Sequence, residues 1–548
     1  MKAATFRRAG TVTSARAALS TIPDSAVVAV SGFNMAVTPE YLILQLLELY
    51  RSTGHPRDLF LIADACPAVP GRALDKVAEY IYTSHDSGLI RGVSMPFFGF
   101  APTFQKLVSD NIVEAYSWPM GVGAYWFREV ASGRPGVISK IGVDTSIDPR
   151  RGGGRFNELA EKRKTCTVRR ILIDEEDYLI YEAPKPNAAL VRATSADPSG
   201  NVTMEEELMR GTVQSIVQAT KAHPNPGTVI VQVKRVQTDR ANPRTVEVPG
   251  PFIDYIVVSP EQYHWQTGSS LFDPRLRMGA PEARAAADLC TQMVEEPHHT
   301  VIARRVLMEL VHAALGKGTP IVVNLGIGIP AFISCLALEE KVTDYIVTVL
   351  ESGQWGGVAL SGADFGVAIN PFALSTMPDM FSNFEGGVID AASLGFLQVE
   401  EGGDVNPSML PGRLFGPGGF PVIAGGSPRL YFAGAFTAGE SKIEVEGAKL
   451  RIEKDGATKK FVNKAYRNFF SGRQALRFDK EVLYVTERAV FKLTLQGLEL
   501  KELAPGVDLE RDVLAKMEFT PRVGGSVGEM DARIFAKGPM GLARELAS

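Results

Sequence analysis

Glu351 closes the apolar run "TVLE" and is followed by Ser352-Gly353-Gln354-Trp355-Gly356-Gly357. A carboxylate at a strand end, ahead of a glycine-rich turn, stands where open α/β sheets place ligands and reactive groups. Four roles suit it: ribose ligand, proton carrier, covalent nucleophile, or a carboxylate facing water. Upstream, Gly326-Ile327-Gly328-Ile329-Pro330-Ala331 follows an apolar run and fits G-x-G-x-x-A, a dinucleotide fingerprint. Glu351 follows at about 20 residues, where a ribose-binding acid would stand. Pro330 inside the turn, and no such motif at the equivalent Ser31-Gly32-Phe33, weigh against a nucleotide. A second turn, Gly416-Pro417-Gly418-Gly419-Phe420, would let backbone N–H groups approach a carbonyl, a phosphate or a pantetheine chain. Gly152-Gly153-Gly154, among Arg150, Arg151 and Arg155, reads as a basic loop or a phosphate cradle. Covalent chemistry at this turn would fall to a carboxylate.

Metal chemistry finds little support. Cys66, Cys166, Cys290 and Cys335 are far apart with no CxxC, which suggests neither a zinc site nor a disulfide framework and suits a reducing compartment. His298-His299 is the one adjacent histidine pair, and neighbours on a helix point apart, so a solvated pair is expected rather than metal ligands.

These residues need elements to hold them. A chain of 548 residues exceeds one ordinary core, so two or more domains are expected. Buried-strand runs at 25–33, 58–65, 228–236 and 254–260 alternate with amphipathic segments, which argues for parallel α/β sheets. "TPEYLILQLLELY" (38–50) reads as a helix with Thr38 as N-cap and Pro39 at N1. "ARAALSTIPDSAVVAVSGF" (15–33) resembles "VHAALGKGTPIVVNLGIGIP" (311–330) in its order of helix, turn, strand and glycine turn. Two similar α/β domains are expected, over 1–275 and 295–548 with a linker at 276–294, and a ligand site between them. Alternating residues at 442–456 and 481–507 predict an antiparallel β portion in the C-terminal domain.

Hydrophobic residues at 45% and a net charge of −4 describe a globular protein without the basic field that nucleic acid would need. No run approaches the ~18 apolar residues of a membrane span. A soluble, cytoplasmic protein with no membrane partner is expected.

Several motifs coincide in order. "SGFNMAVTPEYL" (31–42), "VISKIGVDTSIDPRRGGGRFN" (137–157), "NLGIGIP" (324–330), "ESGQWGG" (351–357), "GPGGF" (416–420), "FAGAFTAG" (432–439), "YVTERAVFKL" (484–493) and "LAPGVDLERDVLAKMEFTP" (503–521) run nearly end to end. Together they resemble the family I CoA-transferases, close to the fused acyl-CoA:acetate/3-ketoacid enzymes. The family's nucleophile is the glutamate of E-x-G-x-x-G-G, which Glu351 matches through Gly353, Gly356 and Gly357. The resemblance implies ping-pong transfer of CoA from an acyl-CoA to a short-chain or 3-keto acid, through a glutamyl-CoA thioester. It implies no metal or prosthetic group, with coenzyme A as substrate and transient covalent adduct, and a homodimer or homotetramer. Gly326, Gly328, Gly416, Gly418, Gly419 and Phe420 then become CoA-binding candidates. Gly32, Phe33 and Asn34 would face Glu351 across the cleft. The glycines beside Glu351 would admit the acyl group and the CoA sulfur. The glutamate must be ionised to attack, so a heavily raised pKa would be harmful.

One stretch departs from the family. Many relatives carry Pro-Gln-Gly where this chain has Pro119-Met120-Gly121, and the Met120 side chain cannot donate a hydrogen bond. Gln354 and Trp355 also replace smaller residues. The expectation is that Gln354 supplies the missing amide, while Met120 and Trp355 reshape the acyl pocket. The departure keeps open a CoA-thioester or ring-ketone hydrolase with Glu351 as base. An NAD-dependent enzyme is the remote alternative.

Overall fold

The computed structural model describes residues 10–276, 290 and 296–547. The expected linker, 276–294, therefore lies outside the described residues except for Leu276 and Cys290, as does the basic N-terminus through residue 9.

Residues 11–258 supply an eight-stranded, wholly parallel sheet in the order Thr11–Val12, Tyr255–Val258, Thr228–Val233, Ala188–Arg192, Val27–Val30, Leu59–Ile62, Ile90–Ser94, Glu114–Tyr116. The central strand, Val27–Val30, is buried at every position, as a strand covered on both faces must be. The helix after it spans Glu40–Thr53, and Thr38 does not cap it. The Thr38 hydroxyl turns inward and donates to the Asn34 carbonyl. The helix's free N–H groups at Tyr41 and Leu42 go instead to Gln232 Oε1, reached from the strand Thr228–Val233. A tertiary acceptor has replaced the local one.

The second large sheet has ten strands, ordered Ala373–Leu374, Gln354–Trp355, Ile346–Val349, Ile321–Leu325, Ala391–Leu394, Arg429–Ala433, Glu481–Val485, Ala489–Thr494, Gly497–Leu503, Arg522–Glu529. Ile346–Val349 through Glu481–Val485 pair in parallel, and the next two strands add on antiparallel. Lys442–Glu446 and Lys449–Lys454 form a separate antiparallel hairpin. From Ile321–Leu325 the chain goes to Ile346–Val349 on one side and then to Ala391–Leu394 on the other. That reversal opens a crevice beyond the strands' carboxyl ends.

One apolar cluster runs through both halves. The helix Met120–Ala131 packs on Met377–Glu385 and Phe420–Gly426. Gly121 lies against the Phe381 ring, where a Cβ would come within 2.6 Å. Polar ties add to it: Asp144 accepts from Arg150, Arg473 and Gln474, and Ser146 exchanges hydrogen bonds with Asn468.

Two readings from isolated residues are corrected. Cys290 and Cys335 form a disulfide across 45 residues, with Cα atoms 5.4 Å apart, while Cys66 and Cys166 are free and buried. Its partners meet only through the tertiary fold, which local spacing cannot register. His298 is buried rather than solvated, because the helix Pro297–Lys317 begins there and packs inward; burial pulls its imidazole below the usual range. No helix among the described residues is long and apolar enough to cross a membrane.

Candidate active site

The carboxyl ends of the two sheets enclose a cavity of about 470 Å³. Glu351 stands on its C-terminal wall, two residues past the strand Ile346–Val349. A tight turn holds it there: Leu350 N–H donates to Gln354 O at 2.9 Å and Gly353 N–H to Leu350 O at 3.0 Å. Glu351 is 8% exposed, and its carboxylate accepts no hydrogen bond from any described residue. Burial alone pushes its pKa from the ordinary 4.5 up to about 7. The ionised nucleophile that sequence reasoning called for is thus only partly present at neutral pH, since no donor in the wall offsets the desolvation.

Gly326 and Ile327 follow the neighbouring strand Ile321–Leu325 into the same cavity. Asn324, on that strand, also lines it. Its Nδ2 donates to Val349 O at 3.0 Å, which leaves Oδ1 buried without a partner among the described residues. Sequence reasoning passed over Asn324; the signal was one amide inside the apolar run "IVVNL".

The Gly416–Phe420 turn lies directly on the carboxylate. A methyl on Gly419 would overlap Glu351 Oε2, so only glycine leaves that oxygen room. The turn is tied to the other half of the chain through backbone. Gly418 N–H donates to Pro96 O at 3.0 Å, Met120 N–H to Gly418 O at 2.8 Å, and Phe98 N–H to Phe415 O at 2.7 Å. Phe33, Asn34, Phe97, Phe100 and Met120 complete the N-terminal wall. Asn34 spends an amide N–H on Phe365 O at 3.0 Å.

Other sequence candidates lie elsewhere. Gln354 is fully buried away from the cavity; its Nε2 donates to Leu208 O at 2.7 Å and its Oε1 accepts from Ala368 N at 2.5 Å. Both ends of the amide are committed to backbone, so it does not replace the donor missing at Met120. Trp355 donates Nε1–H to Ser375 Oγ at 2.9 Å and does not line the cavity either. Gln354–Trp355 forms a short strand paired to Ala373–Leu374, and its two side chains leave on opposite faces, one to Leu208 and one to Ser375. Gly353, Gly356 and Gly357 give no room to a substrate. Side chains there would overlap Ser375 O, the Phe372 ring and Ile369 O, so these glycines let the turn fold back on its neighbours. Gly32 packs on Thr38 behind the cavity wall, and Gly328 sits ahead of the helix Ile329–Glu339 without lining the cavity. The Gly152–Gly154 loop is folded on its own acids, with Arg150 held by Asp148 and Asp144.

A second cavity of about 930 Å³ adjoins the first, and both are lined by Ile327, Gly395 and Phe396. His298 and Lys460 line it. Lys460 is buried with Nζ 4.0 Å from the Phe396 ring centroid, and its ammonium makes no hydrogen bond or ion pair with a described residue. Desolvation draws its ammonium pKa down to about 8.

The Coenzyme A transferase family profile matches residues 12–259. The chain is 34% identical over 538 residues to acetate CoA-transferase YdiF of Escherichia coli (strain K12), covering 97% of this chain and 96% of that protein. It is 34% identical over 532 residues to the caffeate CoA-transferase of Acetobacterium woodii, covering 96% and 97%. The crystal structure of the acyl-CoA transferase YdiF of E. coli O157:H7 as a thioester complex with CoA matches at a TM-score of 0.85 and 32% identity, over 97% of both chains.

Proposed function

The chain belongs to the coenzyme A transferase family, and we propose that it moves CoA from an acyl-CoA to a free carboxylic acid through Glu351. The Glu351 carboxylate attacks the thioester carbonyl, expelling CoA thiolate and forming an acyl-glutamyl anhydride. The thiolate then attacks the glutamyl carbonyl, releasing the first acid and leaving a glutamyl-CoA thioester. An acceptor carboxylate attacks that thioester, giving a new anhydride and CoA thiolate. The thiolate takes the acyl group, and Glu351 is regenerated.

The observation that carries this reading is a buried carboxylate without a hydrogen-bond partner at the meeting point of two sheets, with a glycine backbone against one oxygen. Desolvation strengthens the nucleophile once it is ionised, and enclosure keeps water from the anhydride and thioester. The Gly416–Phe420 backbone is the candidate support for each tetrahedral oxyanion. The pantetheine and nucleotide of CoA would run past Ile327 and Phe396 into the second cavity, where Lys460 can meet a phosphate. The unpartnered Oδ1 of Asn324 can accept from a pantetheine amide.

The raised pKa of Glu351 also suits a general base on water, which would make the protein a thioesterase. One experiment separates the two. The protein is incubated with acyl-CoA, trapped with borohydride or hydroxylamine, and mapped by mass spectrometry. Modified Glu351 with acid-dependent CoA exchange supports transfer. CoA release without an acceptor, and an unmodified Glu351, overturns it in favour of hydrolysis.

A further inference from the structure

We propose that the acyl subsite selects monocarboxylic acids with a bulky apolar body, aryl or branched, over acetate and over dicarboxylates. The inference rests on the transferase reading and narrows its substrate. Its physical basis is the N-terminal wall. The Phe97 ring lies 5.3 Å from Phe100 and 5.7 Å from Phe415, centroid to centroid. Phe97 also reaches the glycine turn, where a Cβ on Gly418 would meet its Cδ2 at 3.7 Å, one residue from the glycine that touches Glu351. An apolar aromatic surface therefore begins next to the reacting carboxylate. Met120 extends it, where an amide would have made it polar.

The polar groups around this surface do not suit a second charge. Asn34 spends one of its two amide N–H groups on Phe365 O, and Ser408 Oγ donates to Gly416 O at 2.6 Å. The open atom of Asn324 is an acceptor, which repels a carboxylate. Among the described residues the one cation lining the cavity is Arg413, exposed at the rim with its guanidinium 4.2 Å from the Phe415 centroid. A dicarboxylate would bury its far charge against rings, at a cost the wall does not offset. Acetate would leave the rings unfilled, while an aryl body gains by covering them.

The test uses the full chain. Acetyl-CoA and 3-phenylpropionyl-CoA serve as donors; acetate, 3-phenylpropionate and succinate serve as acceptors; kcat/KM is read from the acyl-CoA formed. We expect 3-phenylpropionate to exceed acetate by at least about tenfold, the scale on which apolar pockets discriminate, with succinate lowest. Phe97→Ala should cut the ratio of 3-phenylpropionate to acetate about tenfold, and Phe100→Leu serves as the milder variant if Phe97→Ala does not fold. Transfer that favours acetate or succinate overturns the inference alone. So does a Phe97→Ala or Phe100→Leu enzyme that loses both acids equally, since the rings would then be serving CoA. No transfer to any acid, with Glu351 unlabelled, removes the transferase reading and this inference with it.

Discussion

Two glycine-rich turns meet near Glu351 and do different work. In the turn that follows the carboxylate, Gly353, Gly356 and Gly357 press against Ser375, Phe372 and Ile369, all parts of the same protein wall. In the later turn, Gly419 presses against the carboxylate itself. The first set shapes a fold-back, and the second shapes the space where chemistry can occur. A glycine next to Glu351 in sequence is therefore not the glycine that leaves its carboxylate room. Here that residue comes from a loop 68 positions later.

Mutations can sharpen or break this contrast. Glu351→Gln should lower transfer by at least about 10³-fold, since the amide is no nucleophile; steady-state rates with any accepted acyl-CoA check it, and residual turnover near wild type would remove Glu351 from the chemistry. The same carboxylate sets a pH profile. Below about 7, kcat/KM should fall close to tenfold per pH unit as Glu351 takes up its proton. Folding carries the opposite trend. Between 4.5 and about 7 the folded protein keeps this proton where the unfolded chain has lost it, so stability declines as pH rises through that window. The decline reaches about 3 kcal/mol at its upper end. Denaturation of Glu351→Gln across the same pH range should show that slope removed.

Gly419→Ala should cost about 10²-fold in rate, by analogy with the loss of a well-placed active-site group, while leaving the melting temperature close to wild type. Gly419 has φ −76°, which alanine adopts freely, so the methyl's conflict is with the carboxylate rather than the backbone. Gly353→Ala should do the reverse. Its φ of +106° and the Ser375 carbonyl oppose a side chain, so calorimetry should show a loss of about 2–4 kcal/mol, with losses in activity following the folded fraction. If Gly353→Ala instead kept full stability and lost rate, the contrast between the turns would fail. The smallest change is Gln354→Ala, which leaves Leu208 O and Ala368 N unpaired. It should cost about 1–3 kcal/mol of stability and leave the rate per folded molecule within about threefold of wild type.

Much of the scaffold was legible because its signals are local. Runs such as "SAVVAVSGF" and "DLFLIADA" carry their strand character in unbroken apolar stretches, and Gly326 and Glu351 announce themselves as strand-end residues. The site was legible at those ends and obscure between them. Phe97, Phe100 and Phe415 share one wall only because residues more than 300 positions apart fold together. Gln354 looked like a spare donor until strand pairing with Ala373–Leu374 turned it from the cavity. Thr38 looked like a helix cap, but a glutamine from a distant strand took that role. In each case a long-range partner outcompeted the local expectation.

The lips of the cavity are joined by backbone: Gly418 to Pro96, Met120 to Gly418, Phe98 to Phe415. Main-chain groups are common to every residue except for proline's missing N–H. Substitution at Met120, Phe97 or Phe415 by any other residue retaining its N–H therefore keeps the donors and acceptors of that closure while changing the surface it encloses. A lineage, or a directed library, can explore new acids at these positions without first having to rebuild the clasp that holds the two walls together.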